Sequence, residues 1–135
     1  MSLPPELDRE KRLAAEAAAL LVEDGMTVGL GTGSTVAYLL PALAARGLDL
    51  RCVATSPQTE ERGHALGLPI EPFEGLDRLD ISIDGADQIT RAGWLVKGGG
   101  GAHTREKVVV TASDRFVVIA SHNKLVDAIS PPVPL

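Results

Sequence analysis

A chain of 135 residues, 44% hydrophobic but only 3% aromatic, can bury one core, and that core must be aliphatic and alanine-rich. A net charge of -5, with no basic stripe and little aromatic interleaving, argues against nucleic acid as a partner. No apolar run is long enough to span a bilayer and no signal peptide is recognisable, so no membrane association and a cytoplasmic location are expected.

Pro4 and Pro5 precede a helix predicted to run to about Glu23, with Leu13, Ala17, Leu20 and Leu21 as its apolar stripe and Asp24-Gly25 as its stop. Met26 to Leu30 reads as a short buried strand feeding a glycine turn. Ser34 is the expected N-cap of a second helix that carries Val36, Leu39 and Leu40 on one face. Leu50 to Thr55 is predicted as a strand, and its lone cysteine, Cys52, is expected to face the interior. Gln58 to Leu66 follows as a helix ended by Gly67, and Leu79 to Ile83 as a strand stopping at Asp84-Gly85-Ala86-Asp87. Trp94 to Lys97 reads as a short strand leaving through Gly98-Gly99-Gly100-Gly101. His103 to Thr111 is predicted helical, and Phe116 to Ser121 is an apolar final strand.

Strands alternating with helices predict a single α/β domain, its mostly parallel sheet covered by helices on both faces. In such sheets ligands bind beyond the carboxyl ends of the strands. The turns at Gly31, Asp84 and Gly98 each follow a strand, so they are expected to gather on one edge.

Each turn has its own chemistry. Gly29-Leu30-Gly31-Thr32-Gly33-Ser34-Thr35 offers backbone N–H groups, hydroxyls and a helix N-terminus to an anion. It lacks the lysine of a P-loop and the third glycine of the dinucleotide fingerprint, and a plain strand-to-helix turn would use the same residues. Asp84 and Asp87 can point into one cleft, or serve only as an Asp-Gly turn and a cap. Lys97 and the glycines after it suit an oxyanion, a role in which one donor is worth roughly 3–4 kcal/mol of barrier. Glu106 either complements a helix dipole or acts as a general base. Acids to move protons, a cation for developing charge and a phosphate cradle together suit isomerisation of a sugar phosphate.

Taken in order, Gly31-Thr32-Gly33-Ser34-Thr35, Asp84-Gly85-Ala86-Asp87, Lys97-Gly98-Gly99-Gly100-Gly101-Ala102, Arg105-Glu106-Lys107 and Ile119-Ala120 leading to Lys124 closely resemble type A ribose-5-phosphate isomerase. The resemblance implies a Rossmann-like catalytic domain and interconversion of ribose 5-phosphate and ribulose 5-phosphate with no metal and no cofactor. It implies that Glu106 shuttles a proton between C1 and C2 through an enediolate. By the same resemblance Asp84 would assist proton transfer at the sugar oxygens and ring opening, Asp87 would orient the substrate, Lys97 would hold the enediolate charge, and Gly98 and Gly99 would bind the substrate. It further implies that Thr32 would sit beside the sugar, Gly33 would contact the substrate, and Ser34, Thr35, Lys11 and Lys124 would grip the phosphate. In the plainer reading Lys11 is a solvated helix residue paired with Asp8 or Glu10.

The chain departs from the family pattern at Gln88, where glutamate is usual, and at His103 and Ser121-His122-Asn123. His103 and His122 read as surface residues rather than metal ligands, and His64 has no functional case. Residues 1–129 are expected to form the catalytic domain, and the proline-rich 130–135 to begin a connection to the family's second domain. An uncovered apolar flank favours self-association, with a homodimer expected. The rivals are a non-catalytic sugar-phosphate sensor on the same fold, another enzyme of the superfamily such as a deaminase or lactonase acting on hexose phosphates, and an inactive catalytic-domain fragment.

Overall fold

The computed structural model describes residues 4–72, 78–85, 88–89, 95–96 and 112–119. Within them the chain runs α1 (Pro4–Ala19), β1 (Thr27–Leu30), α2 (Ser34–Arg46), β2 (Arg51–Ala54), α3 (Pro57–Ala65), β3 (Ile81–Asp84), β4 (Gln88–Ile89), β5 (Leu95–Val96) and β6 (Phe116–Val118). The helix expected over His103 to Thr111 and the tail 130–135 lie outside the described residues.

Four strands form a parallel sheet in the order β2-β1-β3-β6. Val28 lies between Cys52 and Ile81, and Leu30 between Ala54 and Ile83. Ser82, Ile83 and Asp84 pair with Phe116, Val117 and Val118. β4 and β5 form a separate antiparallel ribbon. From β1 the chain passes to β2 on one side, and it later returns to place β3 and then β6 on the other. The crevice between the ends of β1 and β3 is therefore the topological switch point, where parallel sheets bind ligands.

The core is aliphatic, as the composition requires. Val28, Leu30, Ile81 and Ile83 from the sheet meet Val36, Leu39, Leu40 and Leu43 of α2. All eight are essentially buried, and truncating one such leucine to alanine typically costs about 2–5 kcal/mol. Cys52 is buried as expected, and burial, reinforced by the Glu71 carboxylate, pushes its thiol up to about 11.

The first helix corrects the expected stripe. Ala15, Ala18, Ala19 and the following Val22 are buried, whereas Leu13, Ala17, Leu20 and Leu21 are exposed, Leu20 to 70%. α1 packs chiefly on α2, and small side chains let two helix backbones approach where leucine would hold them apart. The Arg46 guanidinium, at the end of α2, donates to the carbonyls of Ala19 and Val22 and so satisfies the C-terminal end of α1. This end comes earlier than the expected Glu23.

Candidate active site

The turn after β1 lies directly against the end of β3. The Gly31 N–H donates to the Ile83 carbonyl at 2.9 Å, extending the strand pairing by one step. The next amide, Thr32 N–H, donates to Asp84 Oδ1 at 3.2 Å, and Gly85 N–H donates to the same oxygen at 2.7 Å. Asp84 is 3% exposed, so its carboxylate is held by backbone amides at the sheet's carboxyl edge. The approach leaves no room for a side chain on Gly31: a Cβ there would lie 2.0 Å from Asp84 Oδ1.

β6 adds a third wall. Ile119 N–H donates to the Asp84 carbonyl at 2.9 Å, and Gly85 lies near the carbonyls of Thr32 and Ile119. The expected gathering of the Gly31 and Asp84 turns on one edge is thus observed. Gly98, the third turn, lies outside the described residues.

The rest of the glycine turn opens α2. Gly33 is the N-cap, with φ 103° and ψ 176°, a conformation that disfavours any side chain. Ser34 is not the cap that the sequence suggested but the first helical residue, and no side chain caps this end of α2. The positive φ of glycine sets the chain's entry into the helix, which removes serine from the capping position. Gly33 and Ser34 are exposed, Thr32 is half-buried and Thr35 is 7% exposed. No acidic residue occupies the first turn of α2. Its N–H groups and positive dipole end are therefore not neutralised by a nearby carboxylate of the same helix.

Lys11 is half-buried on α1. The ion pairs among the described residues join Arg51 to Glu71 and Arg78 to Asp80 and Asp114. The pairing of Lys11 with Asp8 or Glu10 is not among them. Asp87, Lys97, Gly98, Gly99, Glu106 and Lys124 lie outside the described residues, as do His103 and His122. His64 is exposed on α3, with Nε2 3.2 Å from the Ile70 carbonyl. Among the described residues no group of three His, Cys, Asp or Glu side chains could hold a metal, and no helix is long and apolar enough to cross a membrane.

Sequence reasoning missed the side of the site built by α3. Ser56 caps this helix, accepting from Thr59 N–H at 3.2 Å, with Pro57 in the first turn. Thr59, 5% exposed, donates its hydroxyl to the Gly31 carbonyl at 2.8 Å. The run Ser56-Pro57-Gln58-Thr59 was a readable helix start. Its contact with a turn 28 residues earlier was not.

Comparison with known proteins agrees with this fold. Residues 51–135 match the family model described as ribose 5-phosphate isomerase A (phosphoriboisomerase A). A ribose-5-phosphate isomerase A from Caulobacter vibrioides is 50% identical over 130 residues, covering 95% of this chain and 57% of the relative. The crystal structure of ribose 5-phosphate isomerase A from Neisseria gonorrhoeae superposes with a TM-score of 0.88 at 38% identity, covering 92% of this chain and 56% of that one. A D-ribose-5-phosphate isomerase solved in complex with phospho-erythronic acid superposes with a TM-score of 0.89 at 35% identity, covering 95% and 58%. The chain thus spans little more than half the length of the relatives it matches.

Proposed function

The chain belongs to the ribose 5-phosphate isomerase A family, and from that membership we propose that it interconverts ribose 5-phosphate and ribulose 5-phosphate through an enediolate, without a metal. The observation that carries the reading is the Gly31 turn seated against Asp84 at the switch point of the sheet. A buried carboxylate and a helix N-terminus free of acidic residues stand side by side there. An acid for the sugar and a cradle for its phosphate need that adjacency.

In the proposed mechanism the open-chain aldose lies with its phosphate at Gly33, Ser34 and Thr35, where the first-turn amides and dipole of α2 favour an anion. Lys11 and Lys124 add charge to that grip. Glu106 removes the proton from C2, and the electrons pass to the carbonyl oxygen at C1, forming the enediolate. Returning the proton to C1 and moving one between the two oxygens gives the ketose. Asp84 serves the oxygens and the opening of the sugar ring, Asp87 orients the substrate, and Lys97 with the Gly98 and Gly99 amides holds the enediolate charge. Phospho-erythronic acid, held by a solved relative, carries a phosphate and a carboxylate. It thus offers the two anionic ends that an enediolate phosphate would offer here.

The test is ribulose 5-phosphate formation by the purified chain, beside Glu106→Gln. Loss of a general base removes on the order of a hundredfold to ten-thousandfold in rate, while phosphosugar binding is expected to stay within a few-fold. The rate is expected to be unchanged by EDTA. A rate that collapsed with chelator and returned with a divalent ion would refute the metal-free mechanism. A folded chain that bound the sugar phosphate without turnover would favour the sensor or an incomplete catalytic half. Homodimerisation in a cytoplasmic setting belongs to the same proposal, and sedimentation of the chain tests the dimer.

A further inference from the structure

We infer that Thr59, a residue of α3 with no part in the roles assigned above, is a positioning residue: it fixes the peptide between Gly31 and Thr32 in the one orientation that serves Asp84. The inference rests on the isomerase reading for its effect on rate, but not for its geometry. The two ends of this peptide are held from opposite sides. Its carbonyl, on Gly31, accepts the Thr59 hydroxyl at 2.8 Å. Its N–H, on Thr32, donates to Asp84 Oδ1 at 3.2 Å.

The hydrogen bonds run in one direction. Ser56 Oγ lies 3.2 Å from Thr59 Oγ1 and donates to it, Thr59 donates to Gly31, and the far end of the same peptide donates to the carboxylate. Aligned bonds of this kind polarise one another, and resonance couples the carbonyl to the N–H of one peptide. A donor on the Gly31 oxygen therefore makes Thr32 N–H a better partner for Asp84.

The lock is needed because of what Gly31 is. The space at this position admits no Cβ, and glycine is the residue whose ψ turns most freely. Rotation of this peptide would aim its carbonyl at the Asp84 carboxylate, oxygen against oxygen. Thr59 opposes that rotation from a rigid base. Its own N–H is tied to Ser56 at the helix start, and the preceding Thr55 N–H is tied to the Leu30 carbonyl at 2.9 Å. Thr59 and Gly31 are both buried, so water is poorly placed to replace the hydroxyl.

Two substitutions separate this role from packing. Thr59→Val keeps the shape and the β-branch and removes the donor, while Thr59→Ser keeps the donor and removes a methyl group. In the ligand-free chain, with folding checked by circular dichroism, the Thr32 amide is read by ¹⁵N NMR and hydrogen exchange. Thr59→Val is expected to move that resonance and speed its exchange about tenfold, and to lower kcat about tenfold with KM within about twofold. Thr59→Ser is expected to restore both. A Thr32 amide and kcat unchanged in Thr59→Val would overturn the inference, as would a serine variant as impaired as the valine one. If the unsubstituted chain showed no isomerase activity, the functional reading would fail, and the Thr32 amide alone would decide the clamp.

Discussion

Gly31→Ala isolates the contact on which the site is built. A methyl group on Gly31 would lie 2.0 Å from Oδ1, 2.1 Å from Cγ and 2.7 Å from Cβ of Asp84. The closest of these falls short of ordinary contact by about 1.4 Å. Rotating the carboxylate cannot relieve it, because Asp84 Cβ is itself too close, so β3 or the glycine turn must shift. Gly31 is not among the residues with positive φ, so the cost is steric rather than backbone strain. Overpacking of about 1–3 kcal/mol, together with about 1 kcal/mol for the weakened Thr32 amide bond, predicts a loss of about 2–4 kcal/mol. For a chain of this size that lowers Tm by roughly 5–15 °C. On the isomerase reading proposed above, where Asp84 serves the sugar oxygens, an ångström of misplacement costs on the order of a hundredfold in rate, and kcat is expected to fall by about that factor. Gly33→Ala is the control: nothing lies within 4 Å of its Cβ, but its φ of +103° imposes backbone strain of about 1–3 kcal/mol. That variant should melt early as well, yet lose phosphate affinity more than kcat. A Gly31→Ala protein melting within a degree of the unsubstituted chain, with its kcat intact, would refute the reasoning.

Two further predictions concern pH. Asp80 Oδ2 accepts from the Thr27 N–H at 2.8 Å and the Thr27 hydroxyl at 3.0 Å, and these bonds, with Arg78 nearby, hold its carboxyl below the usual range. The stabilisation is therefore complete above the unfolded pKa of about 3.9 and is lost as pH falls through the lower folded value. Asp80→Asn is expected to cost about 1 kcal/mol at pH 7, as befits a part-exposed group. Urea midpoints of the two proteins should converge in strong acid, and equal midpoints at pH 7 would contradict the assignment. Cys52 is shifted the other way, to about 11, so the unfolded thiol ionises first, near pH 8.5. The folded chain is expected to resist thiol reagents at pH 8 and to lose on the order of 2 kcal/mol of stability between about pH 9 and 11. Cys52→Val should flatten that decline, and rapid labelling of the native thiol would count against it.

The order of elements is legible in the sequence because glycine and polar residues punctuate short apolar runs. Leu30 and Ile83 each end such a run, and in the structure β1 stops at Leu30 and β3 one residue later at Asp84. The carboxyl-edge rule also places Gly31 and Asp84 on one side of the sheet. Their direct contact is not legible, since it depends on the register that sets Leu30 beside Ile83. Thr59 illustrates the same limit. Its local sequence marks the start of a helix, but its hydroxyl bonds a turn on another element. Ser34 fails for a different reason: serine suits a cap, but the backbone of Gly33 takes that position.

The misread face of α1 bears on the site itself. Leucines outweigh alanines on any hydrophobicity scale, so the stripe of Leu13, Ala17, Leu20 and Leu21 is the natural choice from sequence. Packing against α2 chooses the opposite face, because alanines permit the closer approach. Arg46 then holds the end of α1 through the carbonyls of Ala19 and Val22. The difference decides where Lys11 stands. Burial of the leucine stripe would turn Lys11 to solvent, whereas helical spacing sets it in line with Ala15, Ala18 and Ala19 on the buried face. Its half-buried state agrees with that placement. Lys11 is thus on the side of α1 that packs against α2, the helix whose first turn carries Ser34 and Thr35. A long lysine stem can lie along apolar surface while its ammonium group reaches polar surroundings. The alanine face therefore supports the phosphate role proposed for Lys11, and the same packing that exposes Leu20 argues for it.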